Sequence, residues 1–558
     1  MIIAGTCVRY SRLAALCLVT LGTTLASLRA HASDLELQPL AAPTSWTGPY
    51  LGIHLGGMFS QGRSAVDGFP SGYWSGWEPA LPAGYAARSS GFIGGGQLGT
   101  NVQFGSFVVG AEQDFSFTTG TAAAGASGVD ADGYPFVAAH RQRLDWFGTT
   151  RVRFGVTPTD RLLVYLTGGL AYGRVTSSQS LTYPGTAYSG SDRDLRVGWA
   201  AGAGIEYVLT DRLSARLEYL HYNLGATTVV GFRSAPSWRQ THAQLGLAGH
   251  IVRAGLNYRF GPAAAAGTAA PQSDFTVETG LRTWYSTGST RNDLHIYDRS
   301  DLGSRLAYGG LSGLAAETFF RIDHTPSGWF IKGFAGTGKL GSGQLKDEDF
   351  PPFQNPYSAT LSDQRNGHLG YVSADIGYTF LRGSNYRLGG FVGYHYYAER
   401  TNGMGCVSIA LDWCTPPNDL GRTVQMISQK SQWHSLRLGL TGDVMLTDRL
   451  TLTAEAAWLA YTALSGTDSH WLRIDQVDFT GPTPQDGTGH SGIQLEAILS
   501  YQVTRAFSVG FGARYWRMAT TGHARFERST PDFDRAGSQP LDVMTERYGG
   551  FVQAAARF

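Results

Sequence analysis

Two pairs of ionisable residues have a spacing that suits acid–base chemistry. Asp347 and Asp349 form one pair, Asp468 and His470 form the other, and a single residue separates the partners of each pair. In an extended chain, residues two apart point to the same side. An aspartate beside a histidine orients the imidazole and supports its protonated form, so the histidine can take a proton from water.

A second pair of carboxylates facing the first could hold that water during the reaction. The four residues therefore suggest hydrolysis of a peptide bond without a covalent intermediate. The alternative interpretation is that they are solvated acidic residues of exposed loops. Which interpretation holds depends on the elements that position these residues.

Stretches of alternating polarity, separated by tight turns, run through most of the chain. After the turn Leu446-Thr447-Asp448-Arg449, the two faces of the next stretch carry Leu450, Leu452, Ala454, Ala456 and Trp458 on one side and Thr451, Thr453 and Glu455 on the other. The turns at 157–160 and 209–212 also precede such stretches. This period of two predicts strands with an apolar side toward lipid and a polar side toward a lumen.

The composition is typical of such strands. Of the 558 residues, 16% are charged, 12% are aromatic and 74 are glycine. The mean hydropathy of −0.15 is close to zero because alternation averages the apolar and polar positions. The net charge of +1 gives no reason to expect a nucleic-acid partner.

Counting these stretches divides the chain into two barrels. Eight strands end near Phe260, and ten more end at Phe558. The long loops of the first series are predicted at about 57–90, 118–140, 175–194 and 226–245. Residues 261–273 have the small-residue composition of a linker.

We therefore predict an all-β protein with two transmembrane antiparallel β-barrels in tandem, at 33–260 and 274–558. Because both strand counts are even, every tight turn and chain end should lie on the periplasmic side. Both ionisable pairs then fall in extracellular loops. A single eighteen-stranded porin is the alternative architecture.

The first 32 residues have the features of a secretory signal peptide. Arg9 and Arg12 precede an apolar stretch, and Ala30-His31-Ala32 is a cleavage motif. Cys7 and Cys17 leave with this segment. The remaining Cys406 and Cys414 are expected to form a disulfide in an oxidising compartment. A metal pair is disfavoured because further ligands at suitable spacing are missing, and we expect neither a metal nor an organic cofactor.

The second half of the sequence, about 274–558, contains an ordered series of short motifs. They are Leu340-Gly341-Ser342, Asp347-Glu348-Asp349-Phe350, Asn385-Tyr386-Arg387-Leu388-Gly389, Gly393-Tyr394, Gly439-Leu440-Thr441-Gly442 and Asp468-Ser469-His470. In this series the second half resembles the omptin family of outer-membrane endopeptidases. The resemblance implies a ten-stranded barrel with aspartic-type endopeptidase activity. It assigns activation of a water to Asp468 and His470, and positioning to Asp347 and Asp349. It also implies a peptide or protein substrate at the cell surface.

Two features depart from the omptin pattern. Omptins have an acidic specificity residue where this chain has Gly466, and Asp293 is the candidate for a second one. The family's preference for basic residues is therefore not expected to carry over.

Omptins also depend on lipopolysaccharide bound to the barrel exterior. Tyr394 matches the aromatic member of that site, while Tyr396 and Ala398 replace its acidic and basic members. Arg400 is the candidate replacement. We expect outer-membrane lipids and lipopolysaccharide as partners of this chain.

The first half, about 33–260, opens with Ser45-Trp46-Thr47-Gly48-Pro49-Tyr50-Leu51-Gly52 and closes with Leu256-Asn257-Tyr258-Arg259-Phe260. In both motifs it resembles the small porin-like outer-membrane proteins of alphaproteobacteria. That family carries no catalytic set. Since an eight-stranded barrel is filled by its own side chains, we expect an anchor or surface module without an open pore.

Together these patterns predict a bacterial outer-membrane endopeptidase fused to a structural barrel, with its active-site loops extracellular. The second hypothesis is a non-catalytic surface protein, such as a structural barrel, an adhesin or a degenerate protease. A diffusion porin is the third.

Overall fold

Antiparallel strands make up nearly all of the structure. The computed structural model describes residues 45–67, 85–129, 133–233, 240–260, 274–296, 301–350, 356, 358–410, 425–471, 482–504, 507–526 and 537–557. The predicted signal peptide (1–32) and linker (261–273) lie outside these residues. Within the described ranges, no helix has the length and apolar character needed to cross a membrane.

The first sheet closes on itself. Its strands are β1 (Gly48–Asp67), β2 (Tyr85–Phe104), β3 (Phe107–Thr118), β4 (Thr121–Val129), β5 (Pro135–Thr159), β6 (Leu162–Tyr183), β7 (Thr186–Val208), β8 (Leu213–Arg233) and β9 (Gln240–Arg259). β1 pairs with both β2 and β9, which closes the ring. Because β3 and β4 together fill one place between β2 and β5, the ring has the eight predicted positions.

The second sheet closes in the same way. Its strands are β10 (Phe275–His295), β11 (Leu302–His324), β12 (Trp329–Asp349), β13 (Ser358–Gln364), β14 (Gly367–Arg382), β15 (Tyr386–Ala410), β16 (Gln425–Thr447), β17 (Leu450–His470), β18 (Thr483–Gly489), β19 (Gly492–Thr504), β20 (Phe507–Phe526) and β21 (Gly537–Arg557). β10 pairs with β21 to close the ring. β13 shares one place with β14, and β18 shares one with β19, which leaves ten positions. The predicted all-β fold with two barrels in tandem is confirmed.

The strands are longer than predicted, and most of the extra length lies away from the short turns. We call that end of each barrel the outer end, and the end with the short turns and chain termini the inner end. The predicted loop at 175–194 is a hairpin, since β6 runs to Tyr183 and β7 begins at Thr186. Apolar alternation stops where a strand leaves the lipid, but backbone pairing continues beyond that point. The prediction of a long loop at 175–194 was wrong for this reason.

The same lengthening changes the setting of both ionisable pairs. Asp347 and Asp349 are among the last residues of β12, and Asp468 and His470 are among the last of β17. They were predicted in loops, and the structure corrects this. Strands hold side chains more rigidly than loops do, and their alternation decides which side each residue faces.

A β-bulge at Ala460 sets the direction of the last half of β17. Leu436 pairs with Tyr461, and the next residue of β16, Arg437, pairs with Leu459, so Ala460 is the inserted residue. Before it, Leu459 is buried in the interior and Trp458 is on the outer wall. After it, the interior positions become Thr462, Leu464 and Asp468. An inserted residue reverses the alternation that follows. The bulge lies six residues before Gly466 and eight before Asp468.

Buried ion pairs fill the interior of the first barrel. Arg151 contacts Glu112 at 2.6 Å, Asp114 at 3.1 Å and Glu218 at 3.0 Å, and all four side chains have 0% exposure. The network also includes Arg153, Glu206, Arg216 and Arg253. This agrees with the expectation that a ring of this size is filled by its own side chains.

Replacing Arg151 should destabilise the first barrel strongly. In Arg151→Met, three buried carboxylates lose their shared cation, so the free energy of unfolding should fall by about 3–5 kcal/mol. Denaturant unfolding of the protein in lipid vesicles measures this change. Arg143→Met is the matched control, because the Arg143–Asp145 pair is exposed at the arginine (56%) and should contribute less than about 1 kcal/mol. Equal losses in both variants would contradict this account of the interior.

Deleting Ala460 should exchange the interior and exterior faces of β17 beyond that position. Leu464→Cys and Ser465→Cys report the direction of the strand, because Leu464 is buried and Ser465 is exposed. With Ala460 present, a small maleimide should label the cysteine at 465 faster than the one at 464. Without it, the order should reverse, because a single-residue shift exchanges the two faces. Heat-modifiable gel migration checks that each barrel has folded, and an unchanged labelling order would rule out the bulge.

Candidate functional site

Asp468 and His470 form a hydrogen-bonded pair at the outer end of β17. His470 Nε2 lies 3.0 Å from Asp468 Oδ2, and the side chains are 13% and 11% exposed. Both point into the interior because of the bulge at Ala460. The aspartate can therefore orient the imidazole, as the spacing of the two residues predicted.

The residue after this pair holds the strand end in place. The backbone N–H of Trp471 donates to the carbonyl oxygen of Met426 (2.9 Å), and its indole N–H donates to Ser428 Oγ (3.0 Å). Both acceptors lie on β16. Trp471 thus limits fraying next to His470, a role for which the sequence offered no signal.

Asp347 and Asp349 point into the same barrel from β12. Leu345, two residues before Asp347, is buried in the interior, and Asp347 and Asp349 continue that face. Glu348 between them pairs instead with Lys346 at 2.7 Å. In the register with β11, Asp347 lies opposite Leu306.

A buried cluster connects the two walls that carry the pairs. Leu306 and Tyr308 of β11, Leu345 of β12 and Ile427 of β16 belong to it. Ile427 lies opposite His470 in the register of β16 and β17. Since the β13/β14 and β15 positions separate β12 from β16 around the ring, this contact crosses the interior.

Tyr308 interacts electrostatically with a carboxylate from each pair. Its side chain is fully buried, and the carboxylates of Asp468 and Asp347 both act on its hydroxyl. One carboxylate of each pair, Asp347 and Asp468, is therefore close to Tyr308 at the outer end of the interior. Sequence reasoning missed Tyr308, because one tyrosine among 27 carries no spacing signal.

The structure does not bring Asp293 to this region. Asn292 is buried in the interior, so the adjacent Asp293 faces the outer wall of β10. There Arg305 binds it through two hydrogen bonds of 2.7 and 3.2 Å. Arg291 adds an ion pair at 3.3 Å. A carboxylate neutralised on the outside cannot select substrate side chains on the inside.

Gly466 faces the interior where the strands approach closely. A Cβ atom there would come within 2.6 Å of the carbonyl oxygen of Lys430. No side chain fits without a shift of the backbone. The position of the omptin acidic residue therefore cannot hold one in this arrangement.

The remaining predicted residues lie on or near the outer wall. Tyr394 is 47% exposed and hydrogen-bonds to His434. Arg400 is largely covered, and its Nη1 lies 2.6 Å from Asp192 Oδ2 of the first barrel. Cys406 is disulfide-bonded, and its predicted partner, Cys414, lies outside the described residues.

Among solved structures, the crystal structure of the outer membrane protease OmpT from Escherichia coli is similar at 16% sequence identity. The match covers 52% of this chain and 99% of that chain, with a TM-score of 0.42. A likeness this distant says nothing about activity.

Sequence comparison is more decisive for the first barrel. Residues 18–260 match the family model for the outer membrane protein beta-barrel domain. The 31 kDa outer-membrane immunogenic protein of Brucella melitensis biotype 1 is 36% identical over 244 residues, which covers 41% of this chain and 93% of that relative. The 25 kDa outer-membrane immunogenic protein of Brucella abortus biovar 1 is 26% identical over 222 residues, covering 36% and 84%.

These matches agree with the closed ring of the first barrel. They confirm that the first half is similar to outer-membrane β-barrel proteins. The localisation predicted from the sequence, the bacterial outer membrane, is also confirmed. Through its first barrel, the chain belongs to the family of outer membrane proteins with a β-barrel domain.

Proposed function

We propose that the second barrel is an endopeptidase that cleaves peptides at the cell surface, and that the first barrel is its structural partner. The observation that carries the proposal is the 3.0 Å contact between His470 and Asp468, shielded from solvent and directed to the same interior region as Asp347. A histidine oriented in this way suits general-base catalysis.

The residues divide the chemistry as follows. The Nε2–H of His470 donates to Asp468, which leaves the lone pair of Nδ1 to accept a proton from water. Asp347 and Asp349 hold that water. Its oxygen attacks the peptide carbonyl carbon, and the proton taken by His470 passes to the leaving nitrogen as the C–N bond breaks. No covalent link to the enzyme forms.

The omptin resemblance supports the same roles, because its motifs fall on these four residues. The specificity should differ. Gly466 has no side chain and Asp293 faces outward. Neither position therefore offers a carboxylate to a basic substrate side chain in the interior. We propose cleavage that does not require a basic residue at the scissile bond.

The proposal predicts a large effect of His470 on catalysis. With the protein in outer membranes that contain lipopolysaccharide, His470→Ala should lower kcat/KM for a peptide library by about 10²–10⁴-fold. Asp468→Asn should lower it as well, because the imidazole loses its anionic partner. His523→Ala is the matched control, since His523 is exposed on β20, and should cleave like the wild type. Equal rates for wild type and His470→Ala would refute the mechanism.

The second candidate is a non-catalytic surface protein, and the curated relatives favour it. Their names describe immunogenic outer-membrane proteins, and they match the barrel whose interior is filled by ion pairs. If the wild type cleaves no peptide of the library in the presence of lipopolysaccharide, this candidate replaces the first. The third, a diffusion porin, requires conductance in planar bilayers, where we expect little.

A further inference from the structure

Two cations lie side by side on the outer wall of the second barrel. Arg400 of β15 and Lys430 of β16 are direct partners in the strand register. The adjacent Glu399 points the other way and binds Arg547 in the interior at 2.7 Å. Two positive charges on the outer wall of a membrane barrel repel each other and are costly near lipid. They need an anion.

The first barrel supplies that anion. Asp192 of β7 uses one carboxylate oxygen for Arg400 Nη1 at 2.6 Å and the other for Lys430 Nζ at 2.8 Å. The Asp192 side chain is 9% exposed, and that of Arg400 is 10% exposed. The hydrogen bond from Arg400 Nε to Asn402 Oδ1 (3.2 Å) helps to fix the guanidinium group. One buried carboxylate therefore bridges both cations and offsets one of their two positive charges.

Asp192 lies where the pairing between β7 and β8 is interrupted. β7 pairs continuously with β6, but its pairing with β8 is interrupted between Ser189 and Trp199. This stretch can therefore reach a neighbour outside its own ring. The described residues of both barrels belong to one compact unit.

An apolar contact accompanies the ion pairs. Leu195, three residues after Asp192, packs over Gly370 of β14, where a Cβ atom would come within 2.8 Å of Leu195 Cδ2. A Cβ atom at 370 would displace the end of this leucine side chain. Nearby, the charge of Arg174 of β6 acts on Tyr396 of β15. Ionic and apolar contacts thus join the same two faces.

We propose that these faces form a docking interface, in which Asp192 of the first barrel occupies an anion site made by Arg400 and Lys430 on the second. The site takes the carboxylate in place of a lipid phosphate. Because the two barrels are parts of one chain, the effective concentration of Asp192 at the site is far above that of an untethered ligand. This proposal does not depend on whether the second barrel cleaves peptides.

The interface predicts that the barrels remain associated when the chain between them is cut. A protease site is inserted at 261–273 in the full-length protein, a tag is placed on the first barrel, and the assembled protein is cut in phosphatidylcholine vesicles. The tag should retain the second barrel. In Asp192→Asn, dissociation should be about 30-fold faster or more, because the covered Arg400 and the partly exposed Lys430 lose their shared anion.

Two further variants make this result specific. Asp211→Asn changes the net charge equally at an exposed inner turn, and should dissociate like the wild type. Asp192→Lys combined with Arg400→Glu and Lys430→Glu should regain retention that Asp192→Lys alone loses. Rapid separation of the cut wild type, or equal retention in Asp192→Asn, would overturn the proposal.

Adding lipopolysaccharide to the vesicles distinguishes the two sources of the anion. The wild type should retain its second barrel unchanged. If lipopolysaccharide separates the barrels, the cation pair is a lipid site and the proposal fails. In intact outer membranes, a disulfide between Leu195→Cys and Gly370→Cys should form only if these faces meet, and its absence in a folded double variant would also count against docking.

Discussion

Backbone hydrogen bonding within the two closed rings is the constraint on which the rest of this structure depends. A strand that crosses lipid has no water to satisfy its N–H and C=O groups, so each strand needs a neighbour on both sides. The pairings of β1 with β9 and of β10 with β21 meet this requirement separately for each half of the chain. They also explain why the chain forms two barrels and not one large porin.

Closure determines what the interior contains. In the narrow first ring, side chains must fill the lumen, and alternate residues of every strand supply them. Charged residues there are stable only when they are paired, and Arg151 with its three carboxylate partners shows how completely this is achieved. In the wider second ring, similar pairs such as Arg514–Glu317 (2.6 Å) and Arg437–Asp375 (2.8 Å) occupy the interior. The proposed catalytic residues are near the outer ends of β12 and β17.

Small departures from regular strands have the largest functional consequences. One inserted residue, Ala460, turns Asp468 and His470 inward, and without it the proposed chemistry would be impossible. The interruption between β7 and β8 similarly frees Asp192 to reach the second barrel. In both cases the regular ladder provides rigidity, and the irregularity redirects a side chain. The proposed activity and the proposed docking interface therefore arise in the same physical way.

The sequence by itself determined the class of fold, both strand counts and the identity of the four ionisable candidates. Alternation with a period of two and tight-turn residues are local signals, so they can be read from a single sequence. Strand length at the outer ends was not predictable, because polar strands that extend beyond the lipid lose the apolar signal while they keep their backbone pairing. The position of the bulge, the outward direction of Asp293, the crossing contact at Tyr308 and the partner of Arg400 were decided only by the tertiary structure. Each depends on register between strands that are distant along the chain, and a register shift of one residue exchanges the inside and the outside of a barrel.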